Sequence, residues 1–146
     1  MNKAILIGRL TRDPDIRYSQ GENPVAVARY TLAVDRRFKR ANDTQDADFI
    51  SCVSFGKTAE FIERYFVQGM KMGAVGRIQT GSYTNKEGQR VYTTDVVVEE
   101  VEFVESKATS DAIRSNDGNV SSQPSSDVGD GFMNIPDGID EELPFN

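Results

Sequence analysis

The sequence predicts a mainly β fold: a closed five-stranded barrel with one α-helix between its third and fourth strands, followed by a disordered acidic tail. Over residues 1–105, short runs of β-branched and aromatic residues alternate with Gly, Pro, Asn and Asp turn signals. A single segment has the spacing of an amphipathic helix. Near residue 106 the composition changes to polar residues without a period, which is typical of disorder.

The first two predicted strands cover residues 3–10 and 25–35. The first is a short apolar run, β-branched at Ile5 and Ile7, and the turn signal at residues 11–14 ends it. The second follows a glycine–proline turn and alternates apolar with polar residues. This alternation predicts a strand that is buried on one face only.

The third predicted strand, residues 49–55, leads directly into the single predicted helix, residues 57–68. The strand is rich in β-branched and aromatic residues. In the helix, Ala59, Ile62 and Phe66 recur on one face, and a glycine follows the segment as a natural stop.

The rest of the domain is predicted to be β-structure. Residues 74–78 form the fourth strand, residues 79–94 a hairpin arm with its tip at 85–88, and residues 95–104 the last long strand. Five strands around one helix are what a closed OB-fold barrel requires, so we assign residues 1–105 to that architecture. An open α+β sheet of another topology is the alternative.

The charge of the chain is divided between two regions. Residues 1–107 hold 16 Lys and Arg against 15 Asp and Glu, whereas residues 108–146 hold one Arg against 8 acids. The overall charge of −6 therefore resides in the tail. We interpret residues 106–136 as a disordered linker and residues 137–146 as an acidic, partner-binding tip.

Composition excludes several classes of function. The chain has no histidine, which removes His-based catalysis and most zinc sites, so we expect neither a cofactor nor a metal. Cys52 is the only cysteine and no apolar run is long enough to cross a membrane, so we expect a cytoplasmic protein without a membrane partner. An enzyme is not expected; a metal-dependent nuclease using Asp46, Asp48 and Glu60 has only scattered acids in its favour.

Four aromatic residues are candidates for a binding surface. Phe49 and Phe55 project from the same face of one strand, and taken alone they are best explained as core residues. However, Phe38 lies inside the cationic run at 36–40 and Tyr83 lies in the hairpin arm among further cations. Rings interleaved with Lys and Arg in loops are well placed to stack on unpaired bases. The competing interpretation of the run at 36–40 is a solvated loop without specific contacts.

Ten cations of the domain, some of them close to these rings in the sequence, are expected to contact phosphates. They are Lys3, Arg9, Arg36, Arg37, Lys39, Arg40, Lys57, Arg77, Lys86 and Arg90. No base-reading motif accompanies them, so we expect weak sequence preference.

Several separated segments, in order, carry a resemblance to a known family: Asn2-Lys3, Ile5-Leu6-Ile7-Gly8-Arg9-Leu10, Asp13-Pro14, Arg17-Tyr18, residues 25–34, Phe55-Gly56-Lys57-Thr58-Ala59-Glu60, Gly76-Arg77-Ile78-Gln79-Thr80 and Val91-Tyr92-Thr93-Thr94. Over residues 1–104, and again at the extreme C-terminus, the chain resembles the bacterial single-stranded DNA-binding proteins. The resemblance implies an OB fold, a homotetramer and DNA wrapped over the barrels. It places the stacking positions, often tryptophan in relatives, at Phe38, Phe49, Phe55 and Tyr83.

The chain departs from that family in four respects. It has no tryptophan, and Val67-Gln68 and Gly81-Ser82 stand where some relatives carry cations. The smaller rings imply a somewhat lower affinity, and phosphate contacts at those two places are not carried over. Asn146 follows Phe145, so the terminal carboxylate does not lie on the phenylalanine.

The resemblance gives the acidic tip a role in recruiting replication, recombination and repair proteins. The residues that would dock are Asp140, Glu141, Glu142, Leu143, Pro144 and Phe145. In that mechanism the acids steer the encounter and the phenylalanine ring anchors it; an inert solubilising tail is the alternative.

The tail's charge also predicts competition with DNA for the basic groove, which salt should weaken. An RNA-binding or nucleic-acid chaperone OB protein remains the alternative function.

Overall fold

The computed structural model describes residues 1–116, which form six strands and two helices. In chain order the elements are β1 (Ala4–Leu10), β2 (Asp15–Tyr18), β3 (Ala26–Asp35), β4 (Ala47–Phe55), α1 (Gly56–Tyr65), β5 (Lys71–Thr84), β6 (Arg90–Phe103) and α2 (Lys107–Ser115). None of the helices in this part of the chain has the length and apolar character needed to span a membrane.

Five of the strands form a closed sheet. The strand order is β1-β5-β6-β4-β3, and β1 also pairs with β3 through Arg9↔Ala33 and Leu10↔Leu32, which closes the circle. The β4–β6 pairing is parallel and the others are antiparallel. The predicted mainly β character and five-stranded closed sheet are therefore confirmed.

The helix lies between the fourth and fifth strands instead of the third and fourth, because the sequence interpretation missed β2. This strand has four residues, only one of them aliphatic, and pairs only with the start of β3. Such a short segment has no alternation long enough to be recognised. It stands outside the closed circle, so the number of strands in the circle is unchanged.

The predicted fourth strand and the first hairpin arm are one continuous strand, β5. It has a register irregularity between Val75 and Gly76, where the backbones of β5 and β6 approach closely. A Cβ atom on Gly76 would lie 2.0 Å from the carbonyl oxygen of Val97, so no other residue fits without a shift of the backbone. The hairpin tip is as predicted: the Asn85 side chain accepts hydrogen bonds from the amides of Glu87 and Gln89 at 3.0 and 2.8 Å.

Helix α1 ends at Tyr65, three residues earlier than predicted. Phe66 is extended, and its amide donates to the carbonyl of Ile62 at 3.0 Å. Its ring is buried and stacks on Phe103 of β6 with centroids 4.8 Å apart. Packing against the sheet therefore competes with continuation of the helix at this position.

The core lies inside the closed sheet and under α1. Its largest fully buried apolar side chains come from β1, β3, α1, the α1–β5 connection, β5 and β6: Leu10, Leu32, Ile62, Phe66, Met70, Met72 and Val98. One polar pair lies among them, with the hydroxyl oxygens of Tyr30 and Ser54 2.9 Å apart. Burial raises the pKa of Tyr30 far above its usual value, so both hydroxyls stay neutral and satisfy each other.

The start of the predicted disordered linker is helical instead. In α2, Ser106 caps the first turn by accepting from the amide of Thr109, and Arg114 donates to the carbonyl of Arg64 at 3.1 Å. Ile113 packs, partly buried, against the core. α2 therefore lies beyond the predicted domain boundary at 105 and packs on the domain through an apolar residue. Residues 117–146, including the predicted acidic tip, lie outside the described residues.

Candidate nucleic-acid interface

The outward face of β4 carries two of the predicted aromatic residues. Phe49 and Phe55 are 61% and 51% exposed, whereas Cys52 and Ser54, on the opposite face, are buried. The simplest explanation of the two rings, that they belong to the core, is therefore wrong. The period-two alternation of β4 places them on one surface, and Ser51 lies between them.

The loop between β3 and β4 carries the most exposed of these rings. Phe38 is 81% exposed, and the Arg37 guanidinium lies 5.5 Å from its ring centroid. The base of the loop is closed by a hydrogen bond from the Arg36 amide to the Asp46 carbonyl at 3.0 Å. A ring and a cation are thus presented together to solvent.

The β5–β6 hairpin presents tyrosines on both of its faces. Tyr83 pairs with Val91 and Ser82 with Tyr92, so the two tyrosines, 57% and 75% exposed, project in opposite directions. Tyr92 was not among the predicted site residues, although alternation along the arm would have indicated its exposed face. The guanidinium of Arg90 lies 5.5 Å from the centroid of the Tyr92 ring. Arg90, which was predicted to contact phosphate, is therefore on the face opposite to Tyr83.

Half of the predicted phosphate-binding cations are engaged by carboxylates. Arg36 contacts Asp48 at 2.6 Å, a hydrogen bond that raises the pKa of Arg36, and Lys39 pairs with Asp46. These two acids belong to the nuclease alternative, and the structure places them in ion pairs. Within residues 1–116, no three His, Cys, Asp or Glu side chains lie close enough together to hold a metal ion.

The remaining engaged cations lie on β1, immediately before it, and on β5. Arg9 contacts Glu105 at 2.6 Å and donates to the carbonyl of Gly69 at 2.9 Å, so it ties β1 to the segments that follow α1 and β6. Lys3 and Arg77 share Glu99, at 3.6 and 3.7 Å.

The other predicted cations have no ion-pair partner within the described part of the chain. They are Arg37, Arg40, Lys57, Lys86 and Arg90. Two further arginines, Arg12 and Arg29, line a groove beside Phe55 and were missed by the sequence interpretation. Arg12 lies in a turn and Arg29 on a strand, and neither belongs to a cationic run that would draw attention to it.

Exposed rings interleaved with free cations define a class of proteins that bind single-stranded nucleic acids by stacking and phosphate contacts. Comparison with known proteins identifies the family within that class. The model of the single-strand binding protein family matches residues 1–104. The chain belongs to this family.

Similar proteins extend the match beyond the domain. A single-stranded DNA-binding protein of Clostridium perfringens is 53% identical over 106 residues, which cover 73% of this chain and 67% of that protein. Single-stranded DNA-binding protein 3 of Clostridium acetobutylicum is 46% identical over 140 residues, covering 96% and 92% of the two chains. Single-stranded DNA-binding protein 3 of Listeria innocua is 41% identical and covers 99% of each chain.

Proposed function

We propose that this protein binds and protects single-stranded DNA, without strong sequence preference, during replication, recombination and repair. One observation carries the proposal: Phe38, Phe49, Phe55 and Tyr83 are all exposed by half or more, on the closed β-sheet and the β3–β4 loop, although aromatic rings are usually buried. Membership of the single-strand binding family and the names of the relatives support the choice of ligand. The protein would act in the cytoplasm, on the nucleoid, as a binder and not as an enzyme.

The architecture proposed for the closed sheet is an OB-fold barrel. The circle of five strands with a single helix between β4 and β5 supports this assignment. In such barrels, one face and the adjoining loops bind extended strands of nucleic acid. The aromatic residues of β4, the β3–β4 loop and the hairpin would together form that surface.

Stacking supplies the general affinity in this proposal, and free cations supply the salt-dependent part. Every base has a π-face, so rings bind any sequence. Arg37, Arg40, Lys57 and Lys86 would contact phosphates directly, because no carboxylate of the described residues neutralises them. Arg36 and Lys39 would first have to leave their aspartates.

A homotetramer is proposed because the resemblance to the single-strand binding family implies one, and the β1 surface supports contact between copies of the chain. Ile5 and Ile7 are 72% and 52% exposed on the outward face of β1, which is unusual for two neighbouring isoleucines. Within residues 1–116, the segment from Ala4 to Ile7 pairs with β5 only, so its other edge is free to pair with a second copy. A symmetric assembly would bury the two isoleucines and pair the free edge of β1.

The acidic tip is proposed to recruit replication, recombination and repair proteins. Residues Asp140, Glu141 and Glu142 precede Leu143-Pro144-Phe145, which combines a steering charge with an apolar anchor. A chain lacking residues 137–146 should still bind DNA, at least as tightly as the full chain, and stop co-purifying with replication and repair proteins identified by mass spectrometry. Unchanged co-purification would contradict this role.

The tail is also proposed to compete with DNA. Residues 117–146 hold seven acids and no Lys or Arg, and a deletion at 117 spares α2. Removal of this segment should tighten binding most at low salt, since screening weakens the competition. Equal affinity of the full and shortened chains at every salt concentration would exclude the effect.

The binding proposal is tested by titrating the protein with poly-dT while following tyrosine fluorescence at several salt concentrations, on protein whose mass is measured in solution. Quenching with a finite site size, an affinity that falls with salt and the mass of four chains are expected. Absence of binding to poly-dT at low salt would overturn the proposed function. Tighter binding to poly-U would favour the RNA-binding alternative, and shortening of labelled strands in the presence of magnesium would favour an enzyme.

A further inference from the structure

We infer that the groove beside Phe55 is an oriented nucleotide subsite, in which Arg12 and Arg29 hold phosphate while Asp95 and Gln79 face the base. The inference rests on the proposed function and deepens it. Arg12, Arg29, Gln79 and Asp95 belong neither to the cationic run at 36–40 nor to the four exposed rings. The separation of the two arginines from Asp95 would orient a bound nucleotide.

The groove crosses the outward face of four neighbouring strands. Arg29 of β3 is in register with Val53 of β4, Val53 with Val97 of β6, and Gln79 of β5 with Asp95 of β6. These side chains line a groove of about 540 Å³. This volume lies in the range of small-molecule sites, roughly 300–1,000 Å³. The ring of Phe55 forms part of its wall.

The cationic end lies at the β1–β2 turn and β3. Arg12 and Arg29 are both exposed, and within the described residues neither has an ion-pair partner, in contrast to Arg9, Arg36 and Arg77. Both line the same groove as Phe55. Two unneutralised guanidinium groups beside an exposed ring match a phosphate next to a stacked base.

The acids at this end of the groove are already engaged. The Asp13 carboxylate accepts from the Gln68 amide at 2.7 Å, and Asp15 contacts Arg17 at 3.3 Å. Their negative charge is therefore partly offset by groups outside the groove. The arginines remain the available charges at this end.

The opposite end presents an acceptor. Asp95, on β6, is partly buried, and its carboxylate has no hydrogen-bond or ion-pair partner among residues 1–116. It lies two strands from Arg29 and two residues along β6 from the position in register with it, which is roughly 12 Å between backbone positions in a sheet of ordinary spacing. A carboxylate there repels phosphate and accepts from an exocyclic amino group. The cytosine N4 amino group fits it, whereas the thymine O4 does not.

The phosphate end is tested with three single variants of the full chain: Arg12→Gln, Arg29→Gln and the control Arg64→Gln. Arg64 is exposed on α1 and does not line the groove, and its replacement by Gln removes the same charge. Affinity for a dye-labelled dT oligonucleotide is measured by anisotropy across salt. Each groove variant should lower the salt slope by about 0.7, the value for one single-strand phosphate contact, and weaken binding about tenfold. Arg64→Gln should change neither.

The base end is tested with homopolymers, because they fill every subsite with the same base. We compare the ratio of the affinity for a dC oligonucleotide to the affinity for a dT oligonucleotide. This ratio should be roughly 2-fold to 10-fold higher for the wild-type chain than for Asp95→Asn. The inference is overturned if either groove arginine leaves the salt slope unchanged, if Arg64→Gln lowers it equally, or if Asp95→Asn keeps the dC-to-dT ratio. Failure of the wild-type chain to bind either homopolymer would instead refute the proposed function itself.

Discussion

The two tyrosines of the β5–β6 hairpin provide a matched test of the stacking surface. Tyr83 and Tyr92 lie on adjacent strands of the same hairpin, both more than half exposed, and they project from opposite faces. Alternation along β5 and β6 puts Tyr83 on the face of Gln79 and Asp95, both of which line the groove. We predict that Tyr83→Ala weakens DNA binding and that Tyr92→Ala does not.

The expected size of the effect follows from stacking and burial. In proteins of this class stacking contributes roughly 1–3 kcal/mol per base, a magnitude taken from them and not from this chain. Loss of one ring should therefore raise the dissociation constant roughly 5-fold to 150-fold. Neither tyrosine belongs to the buried core, so each substitution should change the free energy of unfolding by less than about 1 kcal/mol.

The assay is anisotropy of a dye-labelled dT oligonucleotide, because removing a tyrosine alters the intrinsic fluorescence. Urea unfolding and the solution mass of each variant are measured in parallel, so that a loss of folding or assembly is recognised. An equal loss of affinity in the two variants, or wild-type affinity in Tyr83→Ala, would refute the assignment of the binding surface to the Tyr83 face.

Three further predictions concern charge and burial. Asp48→Asn should release Arg36 and tighten binding to poly-dT up to about 5-fold with a steeper salt dependence, since an exposed ion pair is weak and easily broken; an unchanged titration would show that Arg36 contacts no phosphate. Burial raises the pKa of the Cys52 thiol to about 12, so the folded state retains a proton that the unfolded state loses near 9. The free energy of unfolding should therefore fall as pH rises from about 9 to about 12. Because the thiol is buried, a disulfide reagent at about pH 8 should label the chain only in denaturant. Tyr30→Phe should cost about 1–3 kcal/mol in urea unfolding because the hydroxyl of Ser54 loses its partner, and a double variant with Ser54→Ala should lose less than the sum of the two single variants; additivity would argue against the pair.

Local pattern accounts for much of the interface. The period-two alternation of β4 predicts that Phe49 and Phe55 share a face, and the tip at residues 85–88 predicts the hairpin that carries Tyr83. The β3–β4 loop has no apolar residues at regular spacing, so the sequence predicts no buried face on which Phe38 could pack. These features depend on neighbours within a few residues, which is why sequence alone reveals them.

Other features of the interface depend on residues far apart in the chain. The carboxylate that engages Arg9 belongs to Glu105, and Lys3 and Arg77 meet only because both reach Glu99. A count of cations therefore overestimates those free for phosphate. The groove beside Phe55 likewise needs side chains of four strands and the β1–β2 turn, and no run of sequence contains them together.

The sequence by itself determined the strand-rich domain, the single internal helix, the exposed rings and the separation of an acidic tail from a nearly neutral domain. Only the tertiary structure decided how the sheet closes, which cations are neutralised, and that α2 docks on the domain. The physical reason is the range of the interactions. Periodicity and turn chemistry act between near neighbours and are written in short segments, whereas closure, ion pairing and docking depend on which distant surfaces meet once the chain has folded.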